Sequence, residues 1–261
     1  LLKKTWTSEP GVFKFQAEQV RPDTVASDFL NSPEYTTHPS VQQSSLDGGV
    51  VLPVGLYSDG VKVGEDSQPE SINVIYLTFL HLGADACAKP QNKHIFTLYR
   101  KSQVNEHTLD DIWDVLLWEL QALAMGKTPV SGEFGKPLGE QAAGPDLLED
   151  FGKPLKVCLM QVRGDWAWYA EALGVWQWNC KSFMCPFCKA CRDGPLSWHD
   201  FSLDAPWRAT CRDHAQFELD MQESLTHHCR RGPSPFAFYP KLAQAPHFKW
   251  TMVKCDWMHE F

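Results

Sequence analysis

Apolar residues along the chain are concentrated in four short runs that alternate with polar or turn-rich segments. The runs lie at 50–60, 72–82, 94–100 and 155–162. Short apolar runs bounded by Gly, Pro, Asn or Asp are typical of strands, and each of these is predicted to be one. The first three are joined by short loops, which indicates an antiparallel meander. Asp59-Gly60 is a common turn pair, so the first strand is predicted to end there.

A helical period follows the third strand. Thr108 is the predicted N-cap, and Asp110 and Asp111 would lie in the first turn, where the helix dipole favours acids. The apolar positions recur three or four residues apart, which places on one face Leu109, Ile112, Trp113, Leu116, Leu117, Leu120 and Leu123. Further predicted elements are a helix at 166–173 that ends at Gly174, a helix at 214–229 and a strand at 251–255.

The order of these elements predicts an α/β fold of the ribonuclease-H-like type. In that fold a three-strand meander, a crossover helix and a fourth strand form a mixed sheet, with the first and fourth strands side by side. We expect this domain over 46–261, with a loop insertion at 126–150 and a helical, zinc-knuckle insertion at 176–250. Residues 126–145 contain eight Gly or Pro, which is typical of a loop. Residues 1–45 are polar and aperiodic, which predicts a linker or the edge of an upstream domain.

Charge and hydropathy narrow the classes of function. The formal net charge of −8 argues against a generic nucleic-acid-binding protein. The charge is uneven, because residues 1–150 carry 11 Lys and Arg against 21 Asp and Glu, whereas residues 151–261 carry 13 against 11. Any nucleic-acid surface is therefore expected on the second part. No apolar run approaches the roughly 18 residues of a transmembrane helix, so no membrane partner is expected. The chain begins without Met and is expected to be a fragment.

The cysteines indicate a metal site. Nine are present, and four of them lie within residues 180–191. Clustered cysteines without a secretory leader are typical of metal binding in a reducing intracellular compartment. Cys185-Pro186-Phe187-Cys188 has the spacing of half a zinc site and needs two more ligands. Candidates at the end of the chain are Asp256 and His259, and the alternatives are Cys180, Cys191 and Cys255. A redox dithiol and buried free cysteines are the other two interpretations of the pair.

Asp59 and Asp165 each follow an apolar run where a strand is predicted to leave the core. Carboxylate oxygens of this kind hold the two Mg²⁺ or Mn²⁺ ions of phosphodiester chemistry, about 3.5–4 Å apart. Neighbouring first and fourth strands would allow the two acids to meet over one metal pair. The plainer interpretation is that Asp59 belongs to a turn and Asp165 caps the following helix.

Three blocks of sequence occur in an order that is typical of one family. The first is Pro53–Gly60, the second joins Gly164–Ala167 to the Cys185–Cys188 turn, and the third is Asp256–Glu260. Together they resemble the catalytic core of DDE/D transposases of the CACTA-like and Plavaka-like (KDZ) groups. The resemblance covers about residues 50–261 and implies a ribonuclease-H-like domain of a nuclear DNA transposase.

The resemblance also implies roles for individual residues. Asp59 and Asp165 would hold the catalytic Mg²⁺ or Mn²⁺ pair. Structural zinc would be held by Cys185, Cys188 and His259. Asp256 would be either a zinc ligand or the third catalytic acid, because the catalytic Glu of these families follows on a later helix, before which this chain ends.

Two functions are therefore expected as alternatives. The first is DNA phosphodiester hydrolysis and strand transfer by a transposase catalytic domain. The second is a domesticated or decayed relative that acts as a non-catalytic, zinc-containing interaction module. DNA is the expected partner of the first, and self-association is left open.

Overall fold

The computed structural model is of the α/β class. It describes residues 28–64, 70–105, 107–129, 143–146, 155–176, 185–226, 236 and 238–255. The strands are β1 (Val50–Val63), β2 (Glu70–Phe79), β3 (His94–Arg100), β4 (Lys127–Pro129), β5 (Ala143–Asp146), β6 (Leu155–Gly164) and β7 (Val253–Cys255). The α-helices are α1 (Pro33–Thr36), α2 (Pro39–Asp47), α3 (Ala84–Cys87), α4 (Thr108–Ala124), α5 (Trp166–Ala172) and α6 (His214–Thr226).

The main sheet is mixed and has five strands in the order β3-β2-β1-β6-β7. β1 pairs with β2 and β2 with β3, both antiparallel, so the predicted meander is confirmed. β6 lies beside β1, and seven of its ten residues from Leu155 onward are buried apolar or Gly positions, as expected of a central strand. β4 and β5 form a separate two-stranded ribbon.

The chain divides into two compact units. The first comprises residues 1–163 and 244–248, and the second comprises residues 164–243 and 249–261.

The core of the first unit lies between the sheet and α4. Helix α4 begins at Thr108 and carries both predicted acids in its first turn. Its buried side chains include Trp113, Leu116 and Leu120, which confirms the predicted apolar face. Each such side chain contributes about 1.5–3 kcal/mol through burial. Leu123 joins a cluster with side chains of β1, β2 and β6.

The sequence predicted Thr108 as the N-cap of α4, and this prediction is wrong. The N-cap position is His107, and Thr108 is the first helical residue. The Thr108 hydroxyl instead accepts a hydrogen bond from Asn105 N–H at 3.0 Å and contacts Asn105 Oδ1 at 3.1 Å. A threonine next to an asparagine turn therefore closes the loop before the helix.

The sequence prediction also misplaced the end of β1. The strand continues beyond Asp59-Gly60 to Val63, because Asp59 pairs with Val74 and Gly60 with Asn73 in the β1–β2 ladder. The second apolar run bends earlier than predicted. Its last three residues, Leu80–Leu82, form a 3-10 turn after β2 ends at Phe79.

Two segments for which no helix or strand was predicted contain regular elements. Residues 28–47 hold a 3-10 turn, α1 and α2, and their side chains Phe29, Tyr35 and Val41 pack against a core cluster of the first unit. Within the segment 126–150, the ribbon β4–β5 lies where a loop was predicted, and Lys127 pairs with Asp146. The rest of that segment lies outside the described residues.

The second unit is built around an aromatic cluster. Phe217 of α6 lies 4.8 Å from Trp250 between ring centroids, and Phe236 lies at the same distance from Trp250. Phe187, inside the cysteine turn, contacts both Phe217 and Trp250. The predicted helix before Gly174 is confirmed as α5, and Gly174 has φ +66°, the left-handed conformation of a helix end.

Candidate functional site

Asp59 lies within β1 in the first unit, and its side chain is half-buried. Alternation along a strand places it on the same face as Tyr57 and opposite Leu56, whose side chain is fully buried. Its paired residue on β2 is Val74. Asp59 therefore lies within a paired strand, not at a turn as the sequence indicated.

A cavity of about 560 Å³ opens on the face of the sheet that carries Tyr57. Its floor includes Gly55 and Tyr57 of β1 and Tyr76 and Thr78 of β2, which are cross-strand pairs. The segment between β2 and β3 forms one wall through Leu80, Gly83, Ala84, Cys87, Ala88 and Lys93. The other wall includes Asp28, Phe29, Gln161 and Arg163.

Aromatic and cationic groups meet in this cavity. The Tyr57 and Tyr76 rings stack, with centroids 4.9 Å apart and planes inclined by 25°. Lys93 Nζ lies 4.8 Å from the Tyr76 centroid and 5.9 Å from that of Tyr57, within the range of a cation–π contact. Arg163 Nε donates to Gln161 Oε1 at 3.0 Å, and the amide of Gln161 donates to Glu34.

Asp165 belongs to the second unit, where it is the N-cap of α5. Trp168 N–H donates to Asp165 Oδ1 at 2.6 Å. A carboxylate in this position satisfies an unpaired helix amide and interacts favourably with the helix dipole. The structure thus gives Asp165 the capping role that the sequence analysis named as the plainer interpretation.

Cys185 and Cys188 converge in the second unit. Their thiols form a hydrogen bond, which lowers the pKa of the Cys188 thiol below its ordinary value of 9 and raises that of Cys185. Ala190 N–H also donates to Cys188 Sγ at 3.4 Å. Two converging thiols, one of them with a stabilised thiolate, fit half of a tetrahedral zinc site.

The buried side chain of Arg212 hydrogen-bonds to the backbone of the cysteine turn. Its side chain is only 5% exposed, and Nε pairs with Asp220 Oδ2 of α6 at 2.7 Å. One terminal nitrogen donates to the carbonyl oxygens of Cys185, at 3.2 Å, and of Cys188. Arg212 was not predicted as a site residue, because an arginine in a polar loop carries no local sign of burial.

The described residues do not complete either predicted metal site. Asp256, His259 and Cys180 lie outside them, and Cys255 ends β7. Cys191 donates through Sγ to the Asp193 carbonyl oxygen at 2.9 Å. Within the described ranges, no group of three or more His, Cys, Asp or Glu side chains is placed to hold a metal ion.

The cavity was not predicted either, although part of its pattern can be recognised in the sequence. Tyr57 and Tyr76 both lie in predicted strands, so an exposed face with aromatic residues could have been inferred from alternation. Lys93 and Arg163 come from distant segments, and only the fold brings them to one cavity.

No protein-family model matches the chain, and no curated protein matches it in sequence. Among the residues that the structure describes, no helix has the length and apolar character needed to cross a membrane.

Proposed function

We propose that the chain contains the catalytic core of a DDE/D-type DNA transposase, which hydrolyses and transfers phosphodiester bonds. The observation that carries the proposal is the strand order β3-β2-β1-β6-β7. It sets β1, the first strand of the meander, beside β6, which comes after the long helix α4 and the β4–β5 ribbon, as a ribonuclease-H-like sheet requires. Helix α4 occupies the chain position of the crossover helix between β3 and β6.

One of the two proposed catalytic acids lies in the first of these neighbouring strands, and the other comes directly after the second. Asp59 lies in β1, and Asp165 is the residue that directly follows β6. Their carboxylates would hold Mg²⁺ or Mn²⁺, for which hard oxygen ligands are suited. Bound divalent ions would activate water or a 3′-hydroxyl and stabilise the leaving oxygen. Asp59 is suited to the role because its pairing with Val74 of β2 fixes its backbone.

The proposed zinc is structural and separate from these acids. Cys185 and Cys188 would supply two thiolate ligands, and the turn that carries them is already ordered by Arg212. Such a site stabilises a fold and leaves no coordination position open for substrate. The remaining ligands in the proposal are His259 and Asp256.

Titration with Mn²⁺ tests the catalytic proposal. Free Mn²⁺ would be followed by electron paramagnetic resonance in the full chain, in Asp59→Asn and in Asp165→Asn. Each substitution removes a charged ligand and is expected to weaken binding at least about tenfold. Asp47→Asn is the control, since Asp47 is exposed and contacts Gln43 within α2. Nicking of supercoiled plasmid in Mn²⁺ gives the activity.

The outcomes separate the two functions. Mn²⁺ binding that depends on Asp59 and Asp165, with nicking lost in both variants, supports the transposase proposal. Binding that is equal in the full chain and in both variants would overturn it.

A specific observation favours the alternative of a non-catalytic zinc-containing module. The Asp165 carboxylate already serves as the helix cap of α5 at 2.6 Å. A residue with that structural role would be retained after catalysis had been lost. Zinc bound stoichiometrically, without Mn²⁺ binding and without nicking, would support this alternative.

A further inference from the structure

We propose that the cavity between the stacked Tyr57–Tyr76 pair and Arg163 binds one nucleotide of a single-stranded nucleic acid. The base would contact the aromatic side chains, and the phosphate would contact Lys93 and Arg163. The inference rests on the proposed function, for which it names the form of the substrate. It also gives a role to a cavity that the proposed metal sites do not use.

The size and shape of the cavity suit such a ligand. Its volume of about 560 Å³ falls within the usual range of about 300–1,000 Å³ for small-ligand sites. Gly55 keeps the floor open, because a Cβ there would lie 2.9 Å from Leu80 Cδ2 and 3.2 Å from Thr78 Oγ1. The wall is braced at its base by Cys87 Sγ, which donates to Phe79 O at 3.3 Å.

The aromatic pair supplies a surface for a base. Aromatic side chains that bind single strands do so by stacking, which tolerates any base because each has a π-face. Tyr57 is half-buried, so part of its ring lies at the cavity surface, whereas Tyr76 is buried beneath. The stacked geometry at 4.9 Å holds the Tyr57 ring in one orientation before a ligand arrives.

Charge supports a phosphate in the same place. The lining has two cations, Lys93 and Arg163, against one carboxylate, Asp28. In the described part of the chain, Lys93 contacts the rings of Tyr57 and Tyr76, and Arg163 contacts the neutral Gln161. Both cations therefore keep their capacity to pair with an anion. This is notable in a unit whose sequence is mainly acidic.

The position of the cavity agrees with the proposed chemistry. Tyr57 and Asp59 are two residues apart on one face of β1, so their Cα atoms are separated by roughly 6.6 Å along the strand. A nucleotide that stacks on Tyr57 would place the adjoining part of its strand near Asp59. The cavity would thus position the strand beside the proposed catalytic acid.

Fluorescence anisotropy with labelled dT10 tests the inference in the full chain. Lys93→Ala combined with Arg163→Ala is expected to weaken binding at least about tenfold. It should also reduce the slope of log affinity against log salt by roughly 1.4, since each lost phosphate contact on a single strand contributes about 0.7. Lys62→Ala is the matched control, because Lys62 is exposed and lies on the opposite face of β1 from Asp59.

Variants of Tyr57 test the stacking separately. Tyr57→Leu is expected to weaken dT10 binding about tenfold or more, whereas Tyr57→Phe keeps the ring and should bind like the full chain. Thermal unfolding by circular dichroism identifies any variant that fails to fold. If Tyr57→Leu does not fold, the double variant of Lys93 and Arg163 still decides the result.

The remaining outcomes overturn the inference. Equal dT10 affinity in all variants would show that the cavity does not bind a single strand. Absence of dT10 binding by the full chain would show the same. Binding of dTMP that depends on these residues, with no such dependence for dT10, would indicate a site for free nucleotides instead. Preference for a 20-base-pair duplex over dT10 would exclude a single-strand site.

The test is independent of the metal proposal. Loss of dT10 binding in the cavity variants, with Mn²⁺ binding unaffected by Asp59→Asn, would uphold the cavity and overturn the catalytic proposal. Mn²⁺ binding that depends on Asp59, with dT10 binding unchanged in the cavity variants, would do the reverse.

Discussion

At the scale of single residues, Arg212 connects the cysteine turn to the body of the second unit. A buried guanidinium must have its charge paired and its N–H groups hydrogen-bonded, since an unpaired charge is costly in a low-dielectric interior. Asp220 supplies the opposite charge, and carbonyl oxygens of the turn accept hydrogen bonds from one terminal nitrogen of Arg212. Arg212 N–H also donates to Phe187 O at 2.9 Å, so the backbone and the side chain act on the same turn.

Arg212→Ala is expected to lower the free energy of unfolding by about 3–5 kcal/mol, because it removes the guanidinium that pairs with the buried Asp220 carboxylate. Arg208→Ala is the control and should cost less than about 1 kcal/mol, since Arg208 is more exposed and stacks on Trp207 at 4.7 Å. Urea unfolding followed by tryptophan fluorescence measures both. A cost for Arg212→Ala no larger than that of the control would contradict the role described.

At the scale of elements, α4 contains one residue that conflicts with its apolar face. Glu119 is only 7% exposed, and its Oε2 has no hydrogen-bond partner in the described part of the chain. Burial raises the pKa of Glu119 from 4.5 to about 7. Between these two values the folded chain binds a proton that the unfolded chain releases, so stability falls as pH rises through that window. The free-energy cost of burying the Glu119 charge is absent below about pH 4.5 and complete above about pH 7.

Glu119→Gln should therefore stabilise the protein by about 1–3 kcal/mol at pH 7.5 and have much less effect at pH 5. Urea unfolding at pH 5, 6 and 7.5 gives the difference between variant and parent at each pH. Asp114→Asn, on the exposed face of the same helix, should show no comparable change in that difference. A stabilisation by Glu119→Gln that is equal at pH 5 and pH 7.5 would disprove the assignment to a buried charge.

The elements differ in how accurately their bounds could be predicted from the sequence. β3 was predicted to the residue, because Pro90 and Asn92 mark the turn before it and the strand is short. β1 ran past its predicted end because Asp59-Gly60, although typical of a turn, keeps its ladder pairs with β2. Local propensity cannot anticipate a partner strand that satisfies those backbone groups. The early bend after Phe79 likewise depends on tertiary packing.

The candidate site was less predictable than the fold for the same reason. The Cys-x2-Cys spacing is a local property, and the structure brings the two thiols together as expected. Asp165 was identified as a strand-end acid, but its capping bond depends only on the next three residues. The cavity is lined by side chains of β1, β2 and β6 and of the segment between β2 and β3. Its composition therefore follows from the topology and not from any sequence motif.

At the scale of the whole molecule, two units with different cores can respond differently to the loss of one cofactor. The first unit is stabilised by apolar clusters between sheet and helix. The second has a smaller aromatic core around Phe217 and Trp250, and the proposed zinc turn contributes Phe187 to it. A small core depends more strongly on a metal site, because less buried area offsets the entropy of ordering the chain.

Removal of the proposed zinc is therefore expected to loosen the second unit selectively. Hydrogen exchange with mass spectrometry would compare the full chain with and without a chelator. Peptides from α6 and from 185–212 should lose protection by at least about tenfold, whereas peptides from β1, β2 and α4 should change little. Cys185→Ser combined with Cys188→Ser should reproduce the effect without chelator, and Cys87→Ser, in the first unit, should not. Equal loss of protection in both units would show that zinc stabilises the molecule as a whole, and no loss in either would exclude a structural zinc at this turn.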